Sequence, residues 1–346
     1  MARLHNNFTS HNVPRWALSG RIPCLDGMRA LAILLVVLSH LSSHGIRGTW
    51  SLGHLGVTFF FVISGFLITL LLIRERDRSG DISAASFYKR RALRILPAYV
   101  TLLLGIGALS VAGLYAIPLS SWARAITYTS CFSLLTMAPV LGHTWSLSVE
   151  EHFYLIWPLL FRKCSPRLIL STLAAYIVLT PILRWLIIRN HVLWLDPNYS
   201  SPSQMASIAV GCLLAVAITK GALPRRSLLA AGGIVLFLVP LLLHGFPLIL
   251  ASTADTFRAS GAGLVMLGIL FMDEGSICWR LLDSKLLVWI GVLSYSLYLW
   301  QQPLTSRSVP FWWGIPALLV VAWLSYRFVE SPFLKLKDKA SQKVHG

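Results

Sequence analysis

Charge is scarce in this sequence, and acidic charge is scarcest. Only 12% of the 346 residues are charged, and 13 acidic side chains face 30 basic ones. With 56% hydrophobic residues, that balance excludes an ordinary soluble domain and fits a polytopic membrane protein. Long polar stretches are missing too. The longest are two tails and the segment 74–94, so no soluble domain of any size is left over. The five cysteines (Cys24, Cys131, Cys164, Cys212, Cys278) show neither metal-ligand spacing nor a disulfide framework, and no metal site is expected. There is no internal repeat and no low-complexity segment. No small-residue cleavage site follows an apolar core in the first 27 residues, which read as a cytoplasmic arm rather than a signal peptide.

What is present is apolar length. Ten segments are long enough to cross a hydrocarbon core of about 30 Å: 28–46, 54–73, 95–115, 145–161, 168–188, 204–219, 227–244, 256–272, 286–304 and 309–329. The segment 125–141 is apolar but carries Thr127, Thr129, Ser130, Ser133 and Pro139, and reads as an interfacial or re-entrant piece. With the N-terminus inside, 24 of the 30 lysines and arginines fall on the cytoplasmic side. An eleventh span at 125–141 would destroy that split. The expectation is therefore an all-α integral membrane protein, a bundle of about ten transmembrane helices with both termini cytoplasmic. It divides into an arm (1–27), a membrane domain (28–329) and a basic tail (330–346). The net charge of +17 does not point to nucleic acid, because the basic residues sit in short clusters between apolar runs. The lipid bilayer is the expected partner, and the cell inner (plasma) membrane the expected location.

Three constellations could carry chemistry. In LDGMRALAILLVVLSH (25–40), Asp26 and Arg29 open an apolar run that is interrupted by His40. Eleven residues turn a helix through about 1100°, so Arg29 and His40 share one face about 16 Å apart. An ionisable group within a span is costly enough to suggest function, although such a histidine can also simply hydrogen-bond a neighbouring helix. In the segment 74–99, Arg91 and Arg94 stand three apart at the start of the third span, where arginine forks and a helix N-terminus would suit phosphate oxygens. A basic loop taken alone is equally a topology signal or a lipid-headgroup contact. In GHTWSLSVEEHFYLIWPLL (142–160), Glu150 shares a helical face with Ser146, Phe153, Tyr154 and Trp157. It could orient an imidazole as the acid of a triad does, or be a solvated carboxylate at a helix start. His143 and His152 are weaker candidates, better suited to structural hydrogen bonds. Three further stretches stand out. Ser64-Gly65 would permit close helix approach, SYSLYLWQQP (294–303) sets Tyr295, Tyr298, Gln301 and Gln302 into the ninth span, and Arg327 and Glu330 are spaced for an ion pair.

Together these pieces resemble the acyltransferase 3 family of membrane-bound O-acyltransferases, which act on lipopolysaccharide O-antigen and other exported glycans. The likeness runs from about Leu25 to Pro332. The family's Arg-x10-His reads Arg29 and His40, and its Arg-x-x-Arg reads Arg91 and Arg94. The glycine-rich second-span motif reads GVTFFFVISGFLIT, and the Trp-Ser-Leu…Glu motif reads WSLSVEEHFY, with Trp145, Ser146, Glu150 and Tyr154. One departure is Gln301, where many relatives carry histidine.

The resemblance implies transfer of an acyl group, acetyl foremost, from a coenzyme A thioester to a hydroxyl of a carbohydrate or glycolipid. Arg91 and Arg94 would hold the donor's phosphates, Arg29 would meet the cofactor at the entry to a passage between helices, and His40 would act as base or carry the acyl group covalently, with Glu150 orienting it. Asp26, Ser64, Trp145, Ser146, Tyr154, Tyr298, Gln301 and Glu330 would support them. No permanently bound cofactor is implied. The extracytoplasmic hydrolase-like domain of some members has no counterpart here, so the acyl group would pass directly to the acceptor or to a separate extracytoplasmic partner. The competing reading is a carrier or flippase for a lipid-linked glycan or polar solute, which would also bury His, Arg and Glu but has no need of a phosphate clamp.

Overall fold

A computed structural model describes residues 15–18, 20, 22–40, 50–132, 137–192, 194–220, 231–236, 239–240, 246–306 and 309–342. Among these residues the chain is helical, with no strand. The helices are α1 (Leu25–Ser39), α2 (Trp50–Ser79), α3 (Ala84–Val111), α4 (Leu119–Ile126), α5 (Thr144–Lys163) and α6 (Pro166–Arg189). After them come α7 (Ser201–Thr219), α8 (Pro247–Leu270), α9 (Ile277–Leu282), α10 (Lys285–Leu304), α11 (Phe311–Ser325) and α12 (Ser331–Gln342). Among the described residues, five stretches are long and apolar enough to cross a membrane: Leu52–Ser79, Ala84–Val111, Pro166–Arg189, Ser201–Thr219 and Trp312–Leu336. The segment 227–244, expected as the seventh span, lies largely outside the described residues, with helix at 231–236 and 239–240.

Serines set several helix starts. Ser83, Ser165, Ser276 and Ser284 each accept a hydrogen bond from the backbone N–H three residues on, filling one of the donors a helix leaves open at its N-terminus. The cap at Ser83 corrects the sequence reading of the third span. That helix begins at Ala84 rather than near 95, because the run KRRALR consists of good helix formers. Arg91 and Arg94 are therefore two to three turns inside α3, away from the open N–H groups of its first turn.

The middle of the bundle is α2, which packs on α1, α5, α7 and α8. It is mostly buried, as is α7, whereas α3, α6 and the helix from 312 to 336 turn most of their surface outward. Gly65 and Gly211 allow α2 and α7 to meet backbone to backbone. A Cβ on Gly65 would lie 2.0 Å from the Ile208 carbonyl oxygen, and one on Gly211 would lie 2.0 Å from that of Val62. The close approach expected from Ser64-Gly65 is thus present, and α7 supplies its other half. Gly211→Val is expected to cost about 1–3 kcal/mol, the usual range for overpacking. That loss should appear as a lower thermal midpoint of the detergent-solubilised protein, and an unchanged midpoint would refute the close-contact account.

The segment 119–141 is not one helix. It breaks into α4, a 3-10 turn at Ser130–Phe132 and another at Pro139–Leu141. Ala138 N–H donates to Ser121 Oγ and Tyr99 Oη donates to the Ala125 carbonyl, so the broken piece is tied to its own start and to α3. Part of the expected N-terminal arm is packed too. Ala17, Ile22 and Cys24 are buried, Trp16 lies against Phe66 and Phe271, and Arg74 donates to the carbonyls of Trp16 and Ala17.

At the other end, α11 runs through a π turn (Tyr326–Glu330) into α12, which packs on α3. The boundary expected at 329/330 therefore falls within one continuous helix. The π turn also removes the expected Arg327–Glu330 ion pair. Its wider winding, with i to i+5 hydrogen bonds, takes residues three apart off a common face. Arg327 is exposed, while buried Glu330 accepts a hydrogen bond from Ser296 Oγ on α10.

Candidate active site

Helices α1, α2, α3, α5 and α10 enclose a cavity of about 90 Å³ near the middle of the bundle. Arg29 reaches it from α1, Ser64 from α2, Arg91 and Arg94 from α3, Ser146, Glu150 and Tyr154 from α5, and Tyr298 from α10. Of the α5 face expected from its spacing, Ser146, Glu150 and Tyr154 line this cavity, whereas Phe153 and Trp157 do not, and Trp157 Nε1 donates instead to Thr69 Oγ1 on α2. Ser64 Oγ donates to Glu150 Oε1 at 2.7 Å. The Arg91 guanidinium carbon lies 4.7 Å from the Tyr154 ring centroid and 5.7 Å from that of Phe87, a cation held between two π faces. The Ser146 and Tyr298 hydroxyls are 2.5 Å apart and each lies 3.2 Å from the carbonyl oxygen of His143, so one donates to the other, which in turn donates to that carbonyl. Arg29 lies in the fields of Asp26, Glu150, Glu330 and Arg94. Among the described residues, none of Arg29, Arg91 and Arg94 donates a hydrogen bond or closes an ion pair.

Towards the α2–α3 turn, Arg91 and Arg94 also face a second, larger cavity. It measures about 390 Å³ and is lined by Arg74, Arg78, Arg90, Arg91 and Arg94, with Leu67 shared between the two spaces. Glu75 is matched there by Arg90 at 2.6 Å. Arg162 of α5 donates two hydrogen bonds to Asp81 in the α2–α3 turn.

In the opposite direction, Val57 and Tyr298 form a common wall with a third space of about 290 Å³. His40 lines it, together with His54, His143, Trp145, Tyr199, Gln301 and Gln302. The shared face expected of Arg29 and His40 is thus realised as two consecutive cavities along α1, about 16 Å apart by helix rise. Glu150 does not join His40. It lines the middle cavity with Ser64 and the arginines, and the ring beside His40 is that of His143.

The supporting residues divide accordingly. Ser64, Ser146 and Tyr154 line the middle cavity, Trp145 and Gln301 the His40 chamber, and Tyr298 both. The backbone of Asp26 abuts Gly291 where α1 crosses α10, and Glu330 stands behind Arg29 and Arg94. His152 has the structural role expected of it, sharing a hydrogen bond with Ser201 at 2.8 Å and stacking on Phe132.

Sequence reading assigned no site role to Glu151, Ser294, His54 and Tyr199, all of which line one of these cavities. Glu151 and Ser294 adjoin residues that were singled out, and the shared spacing could have flagged them. His54 and Tyr199 meet only through the tertiary fold, with ring centroids 5.4 Å apart, and nothing local announces that.

Comparison with known proteins bears on this arrangement. The profile of an acyltransferase domain family matches residues 22–329. The peptidoglycan O-acetyltransferase OatA of Listeria monocytogenes is 29% identical over 360 residues, covering 91% of this chain and 56% of its own length. The O-acetyltransferase OatA of Staphylococcus aureus is 29% identical over 361 residues, covering 92% of this chain and 58% of its own length. The chain thus spans somewhat more than half the length of these curated relatives. No solved structure matches it.

Proposed function

The chain belongs to the acyltransferase 3 family, and from that premise we propose that it is an O-acetyltransferase of the cell inner membrane. Its donor would be acetyl-coenzyme A on the cytoplasmic side, and its acceptor a hydroxyl of an exported carbohydrate or glycolipid. The relatives named for peptidoglycan O-acetylation support a glycan as acceptor. The charge split supports ten spans with both termini in the cytoplasm.

One observation carries the reading. Three guanidiniums without hydrogen-bond partners among the described residues line cavities that lead from the basic end of the bundle to a histidine chamber. Guanidinium forks match phosphate oxygens, so the nucleotide end of the donor belongs at Arg91 and Arg94. Its pantetheine arm would pass Arg29, Glu150 and Tyr298 toward His40. There the acceptor oxygen adds to the thioester carbonyl carbon while His40 takes the hydroxyl proton. The carbon–sulfur bond then breaks, and the thiol leaves with that proton. A positioned base contributes about 10²–10⁴-fold to such a step. The acetyl group would cross most of the membrane while the cofactor stays on the cytoplasmic side.

The test uses purified protein in sealed vesicles of known orientation, with labelled acetyl-CoA confined to one side and de-O-acetylated envelope glycan to the other. Label should reach the glycan when acetyl-CoA faces the α2–α3 turn. Transfer that requires both substrates on one side would end the two-sided scheme, and no transfer in any arrangement would end the acetyltransferase reading.

A further inference from the structure

The basic cavity at the α2–α3 turn holds more charge than the acetyltransferase reading uses. Five arginines and one glutamate line it: Arg74, Arg78, Arg90, Arg91, Arg94 and Glu75. Arg90 pairs with Glu75 at 2.6 Å, which leaves four guanidiniums with no carboxylate among the lining residues. A topology signal needs positive charge at this end of the bundle, but not its convergence on one space. Like charges gathered around a cavity repel, so the surplus calls for an anion. A diphosphate at Arg91 and Arg94 accounts for two of the four.

The other two, Arg74 and Arg78, stand one helical turn apart on the same face of α2. They differ in what holds them. The Arg74 guanidinium donates to the backbone carbonyls of Trp16, Ala17 and Gly20, which occupies its N–H groups without cancelling its charge. Arg78 is exposed, lines the cavity, and makes no hydrogen bond or ion pair among the described residues. Its fork is free for a ligand, and Arg74 adds to the field in which that ligand would sit.

Position identifies the anion. Arg91 and Arg94 line both the middle cavity and the basic one, whereas Arg74 and Arg78 line only the basic one. The α2 pair is therefore the farther from the His40 chamber. Coenzyme A has its groups in the matching order: thiol, pantetheine arm, diphosphate, and then a ribose that carries a phosphate of its own. With the arm running toward His40 and the diphosphate at Arg91 and Arg94, the ribose phosphate comes to the Arg78 side. Its charge matches too, since a phosphomonoester carries about −1.5 to −2 near neutral pH. The remaining side chains around the cavity are Leu67, Leu71, Leu72 and Phe87, which offer adenine no hydrogen bond. The phosphate, rather than the base, is what this space can read.

We propose that Arg78, in the field of Arg74, forms a second phosphate subsite that binds the ribose phosphate of the donor and selects coenzyme A over its dephospho form. The inference rests on the acetyltransferase reading and adds a specificity-determining residue to its donor site.

The experiment titrates the whole chain in detergent, by calorimetry, with coenzyme A and with dephospho-coenzyme A, which lacks only the ribose phosphate. Wild type is expected to bind coenzyme A about tenfold more tightly, the equivalent of one charge-assisted hydrogen bond. Arg78→Gln should lose that margin by weakening coenzyme A alone. Its affinity for dephospho-coenzyme A should stay within about twofold of wild type, which also shows that the variant is folded. Lys89→Gln removes an exposed positive charge near the start of α3 that does not line the cavity, and should leave the margin intact. No margin in wild type, an equal loss for both ligands in Arg78→Gln, or the same loss in Lys89→Gln would each overturn the subsite. A lipid phosphomonoester offers the same chemistry. If phosphatidic acid in the micelle erases the margin and phosphatidylcholine does not, Arg78 serves a lipid headgroup and the subsite falls. Failure of the wild-type protein to bind either ligand would instead sink the acetyltransferase reading, and the subsite with it.

Discussion

Replacing His40 by alanine is expected to leave the protein folded and inserted while lowering acetyl transfer about a hundredfold or more, the range attributed to a positioned base. That loss corresponds to roughly 3–5 kcal/mol of barrier. The stability half of the expectation follows from where the residue sits. His40 closes α1 as its C-cap residue and lines a chamber rather than the packed core, so its truncation enlarges an existing space. The activity half follows from what lies around it. The neighbouring imidazole, His143, is anchored by Gln302 through its Nδ1 and therefore cannot move into the place that His40 vacates. Purified His40→Ala protein would be compared with wild type for acetyl-CoA binding and for label transferred to de-O-acetylated glycan. A variant retaining more than about a tenth of wild-type transfer would remove His40 from the proton-transfer role. A carrier would respond differently: losing a chamber histidine would alter glycan movement, with no ester chemistry to lose.

How much of this was legible beforehand divides by distance along the chain. Arg29 and His40 lie on one helix, and helical rotation alone put them on one face. The α5 face carrying Ser146, Glu150 and Tyr154 was readable for the same reason. That 125–141 is no ordinary span was announced by Thr127, Ser130 and Pro139. Pairings between helices were not readable. Glu150 was matched with His40 because both are ionisable, but register between α1 and α5 is set by packing, which puts Glu150 beside Ser64 and Arg91. The Arg327–Glu330 pair failed for a subtler reason. Spacing rules assume α-helical winding, and the π turn that carries Glu330 to Ser296 leaves no simple periodic trace.

The donor site should distinguish its two α3 arginines. Arg94 lines both the middle cavity and the basic one, and it donates no hydrogen bond among the described residues. Its planar fork is therefore available to an incoming anion. Arg91 lines the same two spaces, but its guanidinium lies over the Tyr154 and Phe87 rings, and it stands in the field of Glu150. Lysine at either position keeps the charge and loses the fork. Arg94→Lys is accordingly expected to weaken acetyl-CoA binding about tenfold or more, through the lost bidentate geometry, with thermal stability close to wild type. Arg91→Lys should also weaken binding, and in addition lower the thermal midpoint, because the cation–π contacts are worth roughly 0.5–2 kcal/mol. Calorimetric titration of the solubilised variants with coenzyme A reads the first effect, and thermal unfolding without ligand reads the second. Acetyl-pantetheine, which keeps the thioester but lacks every phosphate, supplies the control: it should bind wild type and Arg94→Lys alike. Equal coenzyme A affinity in both lysine variants and wild type would reduce the arginine pair to a topology signal. An equal loss for acetyl-pantetheine would move their role from the phosphates to the arm.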